Sequence, residues 1–265
     1  MLKYFLKSCA VLLLSLSLVS NCGGAVFFNG DADEINIGDI DLTGSITIAA
    51  WIYPDFLEAA SNDIVSKGAT TGSNYTLRMK TTGKIAFNFY STGAAWHEWI
   101  TDDAVIAATT WQHVAVTYTY GTGASIVMYV NGVPQAGSWA AGNGNAVPLV
   151  NNDSGAIGQY GRDVGPANYW DGTITEVYIW NALLTQPQIS LLSDSKIKGV
   201  GLQIALTSLL AYWPLDENPL ATGINAVQFD DYSGNGNNGT GVDADGDSLI
   251  VGETILSYPP RPMGN

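Results

Sequence analysis

Acidic side chains are concentrated in two short loops, and carboxylate oxygens are ligands that Ca²⁺ prefers in proteins. The first loop is Asn29-Gly30-Asp31-Ala32-Asp33-Glu34, in which Asp31 and Asp33 are the candidate metal ligands. The second loop, Asp243 to Asp247, differs from an EF-hand loop because its glycine is at the fourth position and Thr254 replaces the bidentate glutamate. We therefore predict a solvated acidic turn at 243–247. For the first loop, a calcium site and a solvated turn both stay open.

The sequence lacks the residue patterns of hydrolytic catalysis. A retaining glycosidase needs two carboxylates about 5 Å apart, which on one strand means acidic residues at i and i+2 or i+4. Glu176 is the only acid in the segment Thr173 to Trp180, so it cannot serve as both acid and nucleophile. The two histidines, His97 and His113, lack zinc-ligand spacing, and we predict that His113 is structural. These patterns predict a protein that is not an enzyme.

Short β-type segments separated by Gly, Asn, Asp and Ser must position these residues. Ile46 to Tyr53 predicts a strand, because its residues are β-branched and aromatic and Pro54-Asp55 ends it. Two further segment pairs flank Thr81-Thr82-Gly83 and Gly121-Thr122-Gly123, which predicts hairpins. Asn131-Gly132 predicts a type I′ turn, since both residues tolerate positive φ.

The strand predicted at Thr173 to Trp180 alternates, with Ile174, Glu176 and Tyr178 expected on one face. Only one helix is indicated: Thr185-Gln186-Pro187-Gln188 has the spacing of a capping box. Many short strands without a long amphipathic helix predict an all-β protein, either a two-sheet sandwich or a closed barrel.

Charge and composition exclude several classes of protein. The 265 residues carry 10 Lys and Arg against 24 Asp and Glu, and a formal charge of −14 disfavours contact with nucleic-acid phosphates. A hydrophobic fraction of 46% supports a sizeable core. Both cysteines, Cys9 and Cys22, lie at the N-terminus, so the rest of the chain has no disulfide framework.

Residues 1–25 have the pattern of a signal peptide: Lys3 and Lys7, then a short apolar stretch, then small residues. We therefore predict secretion, no membrane span, and a mature charge of −16 after both lysines are lost. Ordinary cleavage before Val26 is favoured. A lipid anchor at Cys22 is the alternative, although Asn21 departs from the lipoprotein pattern.

Five segments follow one another in a fixed order: Val26–Asp31, Ile46–Pro54, Trp111–Tyr118, Met128–Gly132 and Asp171–Asn181. Together they resemble the laminin-G-like jelly rolls of the concanavalin A-like lectin and glucanase superfamily. Ile157-Gly158-Gln159 is also similar to the pentraxin branch. The resemblance implies an antiparallel two-sheet jelly-roll sandwich with one short helix.

Two segments near the C-terminus, Leu210–Glu217 and Asp231–Thr240, resemble segments that usually come first in this family. Only 25 residues follow Thr240, too few for a second sandwich of roughly 100 residues. We therefore predict one circularly permuted domain at 26–260, in which residues 209–260 supply the permuted strand and loops. This arrangement predicts neighbouring termini.

The resemblance also implies where ligands would bind. Calcium-binding members join rim loops to the sandwich, so Glu176 is expected to complete the metal site with Asp31 and Asp33. In Trp96-His97-Glu98-Trp99, alternation predicts that one tryptophan points outward. The pentraxin site is disfavoured, because three residues separate Gln159 from Asp163. The candidate sugar-binding residues, chosen as aromatic or polar loop and strand positions, are Trp96, Trp99, Trp139, Tyr160, Asp163 and Trp170.

The resemblance implies a secreted, non-catalytic module that binds an extracellular glycan, with calcium as a candidate cofactor. One alternative is a structural or adhesion protein of a cell or virus-like surface that contacts only other surface proteins. A weaker alternative is a glycan hydrolase with unrecognised carboxylates. Fold alone does not decide among these functions.

Overall fold

The computed structural model describes residues 24–31, 33–57, 61–68, 72–159, 168–195, 198–217 and 226–243. Residues 1–23, most of the predicted signal peptide at 1–25, therefore lie outside the described residues, as do Tyr160, Asp163 and most of the acidic loop 243–247. Within the described part of the chain, no helix is long and apolar enough to cross a membrane.

The described chain forms sixteen strands and one α-helix. In chain order they are β1 (Val26–Asn29), β2 (Asp33–Gly38), β3 (Ser45–Pro54), β4 (Asn62–Lys67), β5 (Tyr75–Met79), β6 (Ile85–Tyr90), β7 (Trp96–Thr101), β8 (Gln112–Thr119), β9 (Val127–Val130), β10 (Val133–Gln135), β11 (Gly137–Ala141), β12 (Gly155–Ile157), β13 (Asp171–Trp180), α1 (Gln186–Asp194), β14 (Leu209–Trp213), β15 (Gln228–Phe229) and β16 (Gly239–Asp243). The predicted all-β class with a single short helix is confirmed.

The strands form two antiparallel sheets. Sheet A has the order β1-β13-β3-β8-β9-β10, and β14 also pairs with β13. Sheet B has the order β11-β7-β6-β5-β4-β12-β2-β16-β15. Both predicted hairpins form, β5–β6 and β8–β9, and Asn131 and Gly132 have φ values of 49° and 76° as the predicted turn requires.

The inner faces of the two sheets supply one hydrophobic core. Along β3, Ile46, Ile48 and Ile52 are fully buried in it. Phe87 of sheet B lies 5.7 Å from Tyr118 of sheet A, measured between ring centroids, so aromatic rings join the sheets. Period-two alternation therefore explains which side chains enter the core.

Helix α1 covers the outer face of sheet A. Its predicted capping box forms, and the Gln188 side chain accepts a hydrogen bond from the Thr185 backbone N–H at 2.8 Å. Ile189 and Leu192 of the helix are buried in a second hydrophobic cluster that also contains Trp180. Sheet A is thus covered on both faces.

The predicted alternation along β13 is wrong at one point, where a β-bulge interrupts the strand between Thr175 and Tyr178. Glu176 lies in this bulge with φ at 53°. A bulge adds one residue and shifts the side-chain alternation beyond it. As a result Ile174 points into the main core, whereas Tyr178 joins the second cluster on the outer face.

The C-terminal segment contributes to both sheets, as a permuted domain predicts. β14 and β1 lie end to end along the same edge of β13, where Val177 pairs with Trp213 and Ile174 pairs with Val26. The Thr175 hydroxyl donates to the Pro214 carbonyl at 2.8 Å and lies 3.1 Å from the Gly24 carbonyl. In sheet B, β16 pairs with β2. The circular permutation itself stays a prediction.

Removing a side chain from β14 tests whether this segment belongs to the folding unit. Trp213 is fully buried, and its indole N–H donates to the Asn237 carbonyl at 2.8 Å. We expect Trp213→Ala to lower the free energy of unfolding by about 3–5 kcal/mol, measured by urea denaturation. Trp96→Ala removes a tryptophan that is 42% exposed, so its cost should stay near 0.5 kcal/mol or below. Equal losses in the free energy of unfolding for Trp213→Ala and Trp96→Ala would contradict an integral role of β14 in the fold.

Candidate functional site

The outward face of sheet B carries an ordered set of polar side chains. On β5, Tyr75 and Leu77 point into the core, so Thr76 and Arg78 point outward. On β6, Phe87 is a core residue and its neighbour Asn88 points outward. In the part of the chain that the structure describes, the α-helix packs on sheet A and not on this face.

Strand register aligns four of these side chains into one row, which we call the polar row: Ser66, Thr76, Asn88 and Glu98. Ser66 pairs with Thr76, Thr76 with Asn88, and Asn88 with Glu98. The row therefore crosses β4, β5, β6 and β7, a width of about 14 Å at roughly 4.8 Å per strand.

Two oxygen atoms in the polar row lack a hydrogen-bond partner among the described residues. They are the Thr76 Oγ1 and the Asn88 Oδ1. Their residues are 0% and 1% exposed. A buried polar atom without a partner costs free energy, and a native structure retains it only for a reason.

Two ion pairs flank the polar row. The Arg78 guanidinium holds both oxygens of Asp63, with Nε 2.8 Å from Oδ1 and Nη2 3.0 Å from Oδ2. Burial raises the pKa of Asp63 to about 6, although Arg78 opposes this shift. The Lys80 ammonium lies 2.9 Å from Glu98 Oε1. Each cation on this face is therefore neutralised by a carboxylate.

An exposed aromatic side chain lies at one end of this face. Trp96 pairs with Tyr90 across β6 and β7, so the two rings share a side of the sheet. Trp96 is 42% exposed and Tyr90 is partly exposed, whereas Trp99 is buried. The prediction that one tryptophan of the Trp96–Trp99 segment points outward is confirmed.

Two of the predicted sugar-binding residues are structural. Trp99 and Trp170 are 6% and 0% exposed and belong to the main core, so neither ring presents a face to a ligand, which corrects their expected role. Trp139 is partly buried, and its indole N–H donates to the Gly123 carbonyl at 3.0 Å. A role of Trp139 in sugar binding stays a prediction. Tyr160 and Asp163 lie outside the described residues.

The three predicted metal ligands do not come together. Asp31 is exposed, and Asp33 begins β2 at 1% exposure. Asp31 follows closely after Asn29, which pairs with Asp171 of β13. Glu176 is five residues further along β13, about 17 Å from Asp171. Among the described residues, no group of three His, Cys, Asp or Glu side chains could hold a metal ion.

Glu176 has a structural environment instead. Its carboxylate accepts hydrogen bonds from the hydroxyls of Tyr178 at 2.6 Å and Tyr212 at 2.5 Å, and from the Gly199 backbone N–H at 2.9 Å. Burial raises the pKa of Glu176, and these hydrogen bonds oppose the shift. The Tyr178 and Tyr212 rings stack at 4.2 Å. This network fixes the bulge of β13 under the second hydrophobic cluster.

Of the residues on the outward face of sheet B, only Trp96 was predicted from the sequence as a binding residue. The polar row takes one residue from each of four consecutive strands, so no single strand displays it. The only local signal was alternation, which places Thr76 with Arg78 and Trp96 with Glu98. Register between strands was needed to align them.

The two antiparallel sheets, with polar side chains on the outward face of one of them, are those of a β-sandwich. The family model described as concanavalin A-like lectin/glucanases superfamily matches residues 28–190, more than half of the chain. The protein therefore belongs to the concanavalin A-like lectin/glucanase superfamily, in its laminin-G-like branch, as the sequence segments indicated. A comparison with curated proteins finds no match.

Solved structures share the fold at low sequence identity. A candidate carbohydrate-binding protein from Bacteroides ovatus is 22% identical with a TM-score of 0.59, covering 86% of this chain and 61% of its own. The NanB sialidase of Streptococcus pneumoniae is 15% identical with a TM-score of 0.50, covering 63% of this chain and 27% of its own. Domain 4 of the extracellular arabinanase AbnA from Geobacillus stearothermophilus, solved with arabinotriose, is 20% identical with a TM-score of 0.49. That match covers 64% of this chain and 76% of the arabinanase domain. The chain thus spans 61% of the first of these structures.

Breaking the ion pair on this face should be costly. Arg78→Met leaves the fully buried Asp63 carboxylate without its cation, and we expect a loss of about 3–5 kcal/mol in the free energy of unfolding. The double variant Asp63→Leu/Arg78→Met removes both charges, so it should lose at least about 2 kcal/mol less. Urea denaturation of the wild type, Arg78→Met and the double variant measures the difference. Equal losses in the two variants would show that Asp63 and Arg78 have no energetic coupling.

His113 should make stability depend on pH. The residue is 1% exposed beside Trp51, and burial lowers its pKa to about 3 from 6.5. The unfolded chain then binds a proton that the folded chain does not, so the contribution of His113 to stability falls as the pH drops from about 6.5 toward 3. At about 1.4 kcal/mol per pKa unit, His113→Gln should gain about 3 kcal/mol relative to the wild type between pH 7 and pH 4. A difference in the free energy of unfolding between the wild type and His113→Gln that stays constant from pH 7 to pH 4 would contradict this prediction.

Proposed function

We propose that this protein is a secreted, non-catalytic carbohydrate-binding module whose glycan lies on the outward face of sheet B. The observation that carries the proposal is the in-register polar row beside an exposed Trp96. A sugar ring presents an apolar face for an aromatic ring and hydroxyl groups at its edge, which suits such a combination. The fold match to a Bacteroides ovatus candidate carbohydrate-binding protein supports the proposal.

In this proposal Trp96 is the stacking platform and Tyr90 extends it. The polar side chains of Lys80, Asn88 and Glu98 then face the ring hydroxyls. A sugar hydroxyl both donates and accepts hydrogen bonds, so it can satisfy the donors of Lys80 and the acceptors of Asn88 and Glu98.

The charges of this face favour an uncharged glycan. Arg78 and Lys80 are already paired with Asp63 and Glu98, so neither cation is available to a carboxylate or sulfate group of a ligand. The whole chain carries a formal charge of −14, which repels polyanions further. Neutral oligosaccharides are therefore the proposed ligand class.

Secretion, an anchor and calcium remain parts of the proposal. The signal-like residues 1–25 support export, and Cys22 offers a lipid anchor if processing follows the lipoprotein route. Calcium, if bound, would involve Asp31 and Asp33 without Glu176, whose carboxylate is engaged by two tyrosines. The alternative function, a surface protein that contacts only other proteins, is tested by the same experiment.

Two substitutions test the binding face on a neutral glycan array and by calorimetry. Trp96→Ala should weaken binding by about 30-fold or more, because it removes the aromatic anchor. Thr76→Val replaces an unpartnered hydroxyl with a methyl group of similar shape. Because Thr76 is fully buried and is not one of the residues assigned to the glycan, this variant should bind normally, and its free energy of unfolding should be unchanged or higher. Tyr232→Ala, which removes an exposed aromatic far along the chain, is the control and should bind normally.

Each outcome has a definite meaning. Absence of binding to all glycans, together with binding to another surface protein, would overturn the proposal in favour of the alternative function. Normal binding by Trp96→Ala would place the ligand elsewhere. Release of reducing sugar from a bound glycan would contradict the non-catalytic part, and loss of binding in a chelator would support calcium.

A further inference from the structure

A buried lysine lies in a shell of oxygen atoms at one end of the sandwich. The Lys67 side chain is 0% exposed, and its ammonium lies 2.9 Å from Asp39 Oδ1 and 2.7 Å from Asp41 Oδ1. It also donates to the Asn151 carbonyl at 2.8 Å and to Asn151 Oδ1 at 3.2 Å. Two carboxylates, one carbonyl and one amide oxygen therefore surround a single cationic atom, and we call this group the oxygen cage.

The topology of sheet B explains why these groups meet. β12 lies between β4 and β2, and Gly155 of β12 pairs with both Lys67 and Gly38. Lys67 is the last residue of β4, and Asp39 and Asp41 follow the end of β2. Asn151 precedes β12. The cation therefore ties together three chain segments that reach the same end of the sheet.

A second observation points to cation binding at the same place. Tyr75 pairs with Lys67 across β4 and β5, so its side chain lies on the same face of the sheet. Its hydroxyl is fully buried and has no hydrogen-bond partner among the described residues. Burial, then the nearby charges of Asp41 and Asp39, raise the pKa of Tyr75. The Tyr75 hydroxyl is thus a buried oxygen without a partner among the described residues, on the same face of the sheet as the Lys67 side chain.

The oxygen types are those of a calcium site. Ca²⁺ takes carboxylate, carbonyl and amide oxygens at 2.3–2.6 Å, and the distances to the Lys67 nitrogen are only a few tenths of an ångström longer. Lys67 neutralises one of the two carboxylate charges, whereas a divalent ion would neutralise both. We propose that the Lys67 ammonium is the structural cation of this strand end, and that the same oxygen cage binds Ca²⁺ when the ammonium is removed.

The oxygen cage shares no residue with the polar row or with the acidic loop at Asp31 and Asp33, so cation binding there is independent of glycan binding. In the wild type the cage is occupied by a side chain, so added calcium should not stabilise the protein through it.

The test compares Lys67→Ala with Lys67→Met in thermal unfolding, with EDTA and with 10 mM CaCl₂. In EDTA both variants should melt about 6 °C or more below the wild type, because two carboxylates lose their cation. Added Ca²⁺ should raise the Tm of Lys67→Ala by about 3–10 °C, for a Kd on the order of 10⁻⁴–10⁻³ M. Lys67→Met keeps the stem in the cage and should gain no more than the wild type gains.

Two further measurements locate the ion. Tb³⁺ bound to Lys67→Ala should emit on tyrosine excitation, because the Tyr75 ring is adjacent, and the wild type should lack this signal. Lys67→Ala/Asp41→Asn removes one ligand and should return the calcium response to that of the wild type. A Lys67→Ala protein with the wild-type calcium response would overturn the proposal, and so would one that fails to fold in 10 mM CaCl₂.

Discussion

The pairing of β13 with β1 and β14, which are distant from each other in the sequence, is the constraint on which the rest of the sandwich depends. β1 and β14 lie end to end on one edge of this strand, and β3 pairs along the other edge. The bulge at Glu176 occurs where the two short partners meet, and the Thr175 hydroxyl contacts the segments before and after them. Sheet A is continuous only because residues distant in sequence share this strand.

With sheet A completed in this way, the two sheets take different roles. Sheet A has a second hydrophobic cluster on its outer face, under α1, so its surface is used for stability. Sheet B keeps a polar outer face, and the register of β4 to β7 brings four polar side chains into line. The division follows where α1 packs, because the outward residues of sheet A are apolar and those of sheet B are polar.

Local features were predictable from the sequence, whereas features that depend on register were not. The strand at Ile46 to Tyr53, both hairpins, the Asn131-Gly132 turn and the helix after Thr185 each follow from residues close together in the chain. The bulge at Glu176 was missed because alternation gives no sign of an inserted residue. Trp99 and Trp170 were misassigned because an aromatic type does not reveal which face of the sheet it occupies. The polar row required the pairing of four strands.

The buried positions of Asp63 and His113 have opposite effects on how the stability of the fold depends on pH. Burial raises the pKa of Asp63 to about 6, so the folded chain binds this proton more readily than the unfolded chain does. Burial lowers the pKa of His113 to about 3, so the folded chain binds that proton less readily. As the pH falls through mild acid, the Asp63 contribution to stability therefore rises while the His113 contribution falls, and each offsets part of the other.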